Sequence, residues 1–235
     1  MRAQFTSGGP LGAESPSILL WDWDNTLVDA WAGITAAINA AFAAFGLPPW
    51  SVEQTKQRAR ISMRESFPVM FGSDWRRARD IFHRTMTQQH LDHVRVMPGA
   101  VDALSAGRSW PQAVVSNKST RYLHAEIAHL GWADYFGAVV GAGEARADKP
   151  DAAPLLLALH RLGAEPSPTV WYLGDTASDM VAARAARVTG VLLGDAAHDG
   201  GIEHAAPDMH LPSAETLAAH LRMLASAFSA ATVTT

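Results

Sequence analysis

The chain has 235 residues, 48% of them hydrophobic and 18% charged, with a formal net charge of −4; this balance belongs to a packed globular protein and offers no broad cationic field for nucleic acid or an anionic membrane. It contains no cysteine, which excludes disulfides, thiolate zinc sites and thiol nucleophiles and leaves carboxylates, hydroxyls, lysine and histidine for any chemistry. The length suits one α/β domain with a sizeable insertion better than two independent domains.

In chain order, residues 1–16 are rich in Gly, Ser and Pro and lack the apolar core of a secretory signal, so they read as a flexible leader. No later apolar run approaches the roughly 20 residues that cross a bilayer, and a cytoplasmic protein with no membrane partner is expected. Short apolar runs then recur at Ile18–Trp23, Gln112–Ser116, Ala138–Val140, Thr169–Gly174 and Gly190–Leu193, with helix-like segments between them. Continuous apolar runs suit strands covered on both faces, so the pattern predicts an α/β, Rossmann-like, doubly wound and mostly parallel sheet.

The interval between the first two strands is too long for one crossover helix. Asp29 is placed to cap a helix that ends near Phe45, with Gly46 as its stop and Pro48-Pro49 beyond. Ser51 with Gln54 and Ser62 with Glu65 have capping-box spacing, and Asp74 is placed to open a polar-faced helix toward Leu91. Residues 29–95 are therefore predicted to form a helical cap, and residues 17–28 with 96–235 the core. Met97-Pro98-Gly99 marks the return, and Leu217, Leu221, Leu224 and Phe228 lie at helical spacing near the end of the chain, which predicts a last helix packed on the core.

Chemistry concentrates where the apolar runs stop. Asp22 and Asp24 stand at the end of the first run, and if the strand continues through them they point the same way, at the edge where open α/β sheets bind ligands. Two acids in one pocket require a cation or a shared proton. Ser116 and Asn117 end the second run before a helix over Thr120–Leu130, a natural seat for phosphate oxygens as well as a plain helix cap. Lys149 precedes Pro150, and Asp175 and Asp179 follow the fourth run, where they suit either a hard cation or helix capping.

As an ordered set, the acid pair, the hydroxyl, the lysine and the second acid pair resemble the haloacid-dehalogenase-like superfamily over roughly Ile18 to Leu193, and the insert resembles the helical cap of its phosphoglycolate-phosphatase-like branch. The resemblance implies a Mg²⁺-dependent phosphatase acting on a small phosphorylated metabolite, with Asp22 as nucleophile through an aspartyl-phosphate. It implies Asp24 as the acid and base, with Thr26 helping to position it. It assigns Mg²⁺ to the Asp22 carboxylate, the Asp24 backbone carbonyl and Asp175, with Asp179 in support. Ser116, Asn117 and Lys149 would hold phosphate and offset its charge. A phosphomutase of the same fold keeps both acids, and a noncatalytic binding or regulatory protein that retains the fold is the alternative from another class.

A cap should read the leaving group, which makes Arg60 and Arg64, in the segment between two cap helices, candidates for an anionic substrate group. Asn25 and Arg187 stand where relatives commonly have glycine, and Asn tolerates a left-handed turn. His90 and His93 lack a third ligand at zinc-site spacing and read as exposed helix residues. Trp21 and Trp23 read as packing residues, with Trp23 a candidate wall of the site.

Overall fold

The computed structural model describes residues 15–58 and 63–232, apart from the side chains of residues 63–65 and 228–232. The leader expected over residues 1–16 thus lies, up to residue 14, outside the described residues, as do Arg60 and the Ser62 half of an expected capping box. No described helix is long and apolar enough to cross a membrane.

The chain runs through β1 (Ile18–Trp21), β2 (Val28–Asp29), α1 (Trp31–Ala44), α2 (Val52–Arg58), α3 (Met63–Phe71), α4 (Trp75–His93), β3 (Arg95–Val96), α5 (Ala100–Ala106), β4 (Gln112–Ser119) and α6 (Thr120–Leu130). It continues through β5 (Ala138–Ala142), α7 (Ala153–Arg161), β6 (Val170–Gly174), α8 (Ala177–Ala186), β7 (Thr189–Leu193), α9 (Gly201–Ala205), β8 (Met209–Leu211) and α10 (Ala214–Thr232). Six strands form one sheet in the order β5-β4-β1-β6-β7-β8, and every pair in it is parallel. The apolar runs are continuous because both faces are covered. Leu19, Trp21, Val114, Leu173 and Val191 pack with Leu104, Leu123, Leu217 and Leu221 on one face, while Leu20, Val115 and Tyr172 pack with Leu155, Leu159 and Ala183 on the other. After β1 the chain builds outward through β4 and β5, then crosses back to build through β6, β7 and β8. This reversal puts the ligand crevice at the carboxyl ends of β1, β4 and β6.

The insert leaves and returns through an antiparallel pair, β2 with β3, in which Val28 faces Val96. Inside it, Ser51 and Gln54 form the expected reciprocal box, with Gln54 N–H donating to Ser51 Oγ at 3.1 Å and Ser51 N–H to Gln54 Oε1 at 2.9 Å. Gly46 takes φ +67° past the end of α1, and Asp29 Oδ1 accepts from Trp31 N–H at 2.9 Å. Asp74 stands at the N-terminus of α4 as expected. It closes a 3-10 turn over Gly72–Asp74 and makes no side-chain cap to α4, whose start the turn's own backbone sets. Ala41, Phe67 and Ala78 form a small core of their own, with Phe67 against Phe71 and Phe82 at ring separations of 5.1 and 5.8 Å.

Other elements depart from the sequence reading. β1 stops at Trp21, two residues short of the apolar run's end, whereas β4 runs on to Ser119. β8 and the β2–β3 pair have three and two residues per strand, too few to show any periodicity. Asn25 and Arg187 both adopt the left-handed region, at φ 63° and 59°.

Candidate active site

Asp22 follows β1 directly, and its N–H still bonds to Leu173 O on β6 at 2.8 Å. The chain then folds back on itself, with Leu27 N–H on Trp23 O at 3.0 Å and Asn25 in its left-handed turn. This bend, and not continued strand alternation, decides where the acids point: Asp22 turns toward Lys149, and Asp24 toward Lys118.

Lys149 Nζ donates to Asp22 Oδ1 at 2.5 Å, Asp179 Oδ1 at 2.8 Å and Tyr172 Oη at 2.8 Å, which uses all the donors an ammonium has. Its approach is set by Asn117, whose side-chain amide donates to Lys149 O and accepts from Lys149 N–H, both at 2.9 Å. The sequence reading put Asn117 among the phosphate-holding groups; its side-chain amide also fastens β4 to the lysine loop. Ser116 is buried at the same strand end, where β4 and β5 lose register, and its Oγ accepts from Lys118 N–H at 3.1 Å.

Asp179 serves as both cap and site residue. Thr176 N–H and Oγ1 donate to its Oδ2 at 3.0 and 2.6 Å, the N-terminal box of α8, while its Oδ1 faces Lys149 and Tyr172. Thr26 Oγ1 lies 3.4 Å from Asp22 Oδ2 and 3.3 Å from Asp175 Oδ1, so it links these two carboxylates and does not brace Asp24 as anticipated.

One oxygen from each of Asp22, Asp175 and Asp179 lies within 4.8 Å of the others, and all three residues are buried. Burial, with Asp179 and Asp175 close by, holds the Asp22 carboxyl well above the usual range despite Lys149. Burial likewise raises Asp175, against the pull of His198. Asp179 goes the other way: burial would raise it, but Lys149 and the Thr176 donors bring it below the ordinary value. Lys149 is raised because Asp179 and Asp22 outweigh its desolvation. Three buried carboxylates against one ammonium are unfavourable without a further cation. Asp175 Oδ2 is buried without a hydrogen-bond partner, 3.2 Å from the Nε2 of His198. The donors are hard oxygens, which fit Mg²⁺ and not a thiophilic metal. Asp22 and Asp175 have oxygens to give it; Asp179 has committed both of its own.

Several residues of the site had no clear mark in the sequence. Lys118 and Glu126 form a buried ion pair beside Asp24. His90, read as exposed, is buried, with its Nδ1 3.2 Å from Glu126 Oε1, while His93 remains half-buried. Trp23 is fully buried against Trp132 and Phe136 and packs without walling the site, as Trp21 also does. Tyr172 had one legible cue, a hydroxyl in the middle of an apolar strand. The side chain of Arg64, in α3, lies outside the described ones.

A carboxylate centre at the carboxyl edge of a parallel sheet, with a helical unit inserted after the first strand, defines a Rossmann-like α/β core with a helical cap. The chain belongs to the haloacid dehalogenase-like hydrolase family, whose model matches residues 19–193, a span that includes Asp22, Asp24, Ser116, Lys149, Asp175 and Asp179. It is similar to a phosphoglycolate phosphatase from Chromobacterium violaceum, 32% identical over 74% of this chain and 83% of that one. It also resembles an N-acetylmuramic acid 6-phosphate phosphatase from Pseudomonas aeruginosa, 28% identical over 71% of this chain and 76% of that one. A haloacid dehalogenase-like family hydrolase from Streptococcus pneumoniae superposes with a TM-score of 0.77 at 20% identity, covering 87% of this chain and 98% of that one; this likeness bears on the fold alone.

Proposed function

We propose that the protein is a Mg²⁺-dependent phosphatase that takes the phosphoryl group of a small phosphate monoester onto Asp22 and passes it to water. The observation that carries the reading is the buried junction of Asp22, Lys149 and Asp175, with the Ser116 strand end beside it in a cavity of about 260 Å³. The Asp22 carboxylate attacks phosphorus as the ester oxygen leaves, and Asp24 gives that oxygen a proton. Asp24 then takes a proton from the water that attacks the aspartyl-phosphate, so the balance is ester plus water to alcohol plus phosphate. Ser116 and the backbone N–H groups at this strand end hold phosphoryl oxygens, and Lys149 offsets charge on Asp22 and on the phosphate. Mg²⁺, held by the Asp22 and Asp175 carboxylates and the Asp24 carbonyl with Asp179 behind them, would offset the remaining charge of the phosphoryl group.

A second cleft, of about 320 Å³, meets this cavity at Asn25 and Asp175 and is lined by Trp31 and Lys56 of the insert. It is the natural room for the rest of the substrate. Phosphatase names among the relatives support a phosphorylated metabolite as substrate. Arg60 and Arg64 remain the candidates for reading an anionic group on it.

The test is a panel of phosphorylated metabolites with and without Mg²⁺, with Asp22→Asn as control. Acid-quenched enzyme should carry substrate phosphate in a bond that hydroxylamine cleaves. Turnover by Asp22→Asn, or full activity in chelator, removes the reading. In the same panel, unchanged KM values for Arg60→Ala and Arg64→Ala remove the arginine assignment alone.

A further inference from the structure

Beside the carboxylate centre lies a second buried polar cluster that takes no part in holding it. Lys118 Nζ is 2.6 Å from Asp24 Oδ1 and 2.8 and 2.6 Å from the two carboxylate oxygens of Glu126. Glu126 Oε2 also accepts from Trp23 Nε1 at 2.6 Å, and its Oε1 faces His90 Nδ1 at 3.2 Å. The side chains of Lys118 and Glu126 are 8% and 1% exposed, whereas that of Asp24 is 28% exposed. Four segments meet here: the loop after β1, the end of β4, the core helix α6 and helix α4 of the insert. Tyr122 of α6 packs on the His90 ring at 4.9 Å and places its hydroxyl 2.6 Å from Thr87 of α4, so the cluster is also the seam where the insert meets the core.

Burying a lysine and a glutamate together rarely adds net stability, because desolvation cancels much of their attraction. What the pair supplies is position. A lysine stem has four rotatable bonds and no preferred place; here Glu126 takes the ammonium from one side, and Trp23 and His90 hold Glu126. The ammonium lies against Asp24 Oδ1 as an ion pair without the alignment of a hydrogen bond, and Asp24, which projects from a loop, has Lys118 as its cationic partner among the described residues.

We propose that Lys118, held by Glu126, is a positioning residue for Asp24 and fixes the carboxyl that handles the leaving-group proton. The inference rests on the acid/base role given to Asp24 above. Lys118 reaches the reaction through Asp24 and not through the substrate.

The test compares phenyl phosphate, whose leaving oxygen needs a proton, with 2,4-dinitrophenyl phosphate, whose leaving oxygen does not, in the first-turnover burst of phenol release. Lys118→Met should slow the burst from phenyl phosphate by about 10²-fold and that from the dinitrophenyl ester by no more than about threefold, with both KM values near wild type. Glu126→Gln preserves volume and should show the same selectivity at about tenfold; it decides the matter if Lys118→Met does not fold. Equal losses for the two esters overturn the proposal, as does a rise in KM with the burst rate unchanged, which would make Lys118 a substrate ligand. Asp22→Asn must abolish both bursts. If it does not, the phosphatase reading itself fails; if it does and the lysine variant keeps wild-type selectivity, only the positioning role is lost.

Discussion

Gly174 ends β6 one residue before Asp175, and replacing it with alanine tests how rigidly the centre is built. A methyl group there would lie 2.5 Å from both Cβ and Cγ of Asp179 and 2.6 Å from its Oδ2. Carbon atoms in contact prefer about 3.5–4.0 Å, so the aspartate must retreat by roughly 1 Å. Its retreat is opposed on both sides: Oδ2 is held by Thr176 and Oδ1 by Lys149 and Tyr172. Overpacking of this kind costs about 1–3 kcal/mol, which for a chain of this size lowers Tm by roughly 2–12 °C. A displacement near 1 Å at Asp179 also moves the lysine that orients Asp22, and misplacement on that scale costs on the order of 10²-fold in rate. Thermal unfolding followed by circular dichroism, and kcat/KM for 2,4-dinitrophenyl phosphate in saturating Mg²⁺, read the two effects. A Gly174→Ala protein that melts and turns over like wild type would show that Asp179 moves freely, and the account of a fixed Asp179–Lys149–Asp22 chain would be wrong.

Two further outcomes follow from regions outside the centre. Phe67 fills the small core of the insert, separate from both faces of the sheet, so Phe67→Ala should cost about 3–5 kcal/mol there; hydrogen exchange should speed up in α1, α3 and α4 and leave β1, β4 and β6 protected, and uniform acceleration would contradict a separate core. His220 lies stacked on Trp171 at 6.0 Å with its Nε2 unpartnered, and burial holds its pKa below the ordinary histidine value. The unfolded chain therefore takes this proton first, so the contribution of His220 to stability is complete above about pH 6.5 and is lost as pH falls below it. Replacing it with leucine should flatten the urea midpoint between about pH 7 and pH 5 relative to wild type, and parallel curves for the two proteins would count against the argument.

The strands of the sheet's centre were legible because burial on both faces demands unbroken apolar runs, and the same demand shows where each run stops. In a parallel sheet those stops share one edge, so the sequence alone refers the ordered acids, hydroxyl and lysine to one place. Capping chemistry was legible too where it is local: Ser51 with Gln54, and Gly46, act within a few residues of themselves. What a side chain spends its hydrogen bonds on is not local. Asn117 and Lys149 are 32 residues apart, Lys149 and Asp22 are 127 apart, and Trp23 and Glu126 are 103 apart. Only the folded chain decided that Asn117 fastens a loop, that Thr26 joins Asp22 to Asp175, and that Lys118, Glu126 and His90 are buried together. Charged side chains stay buried only when partners from elsewhere compensate them, and those partners come into reach through the packing of α4, α6, β1 and β4, which no stretch of sequence contains by itself.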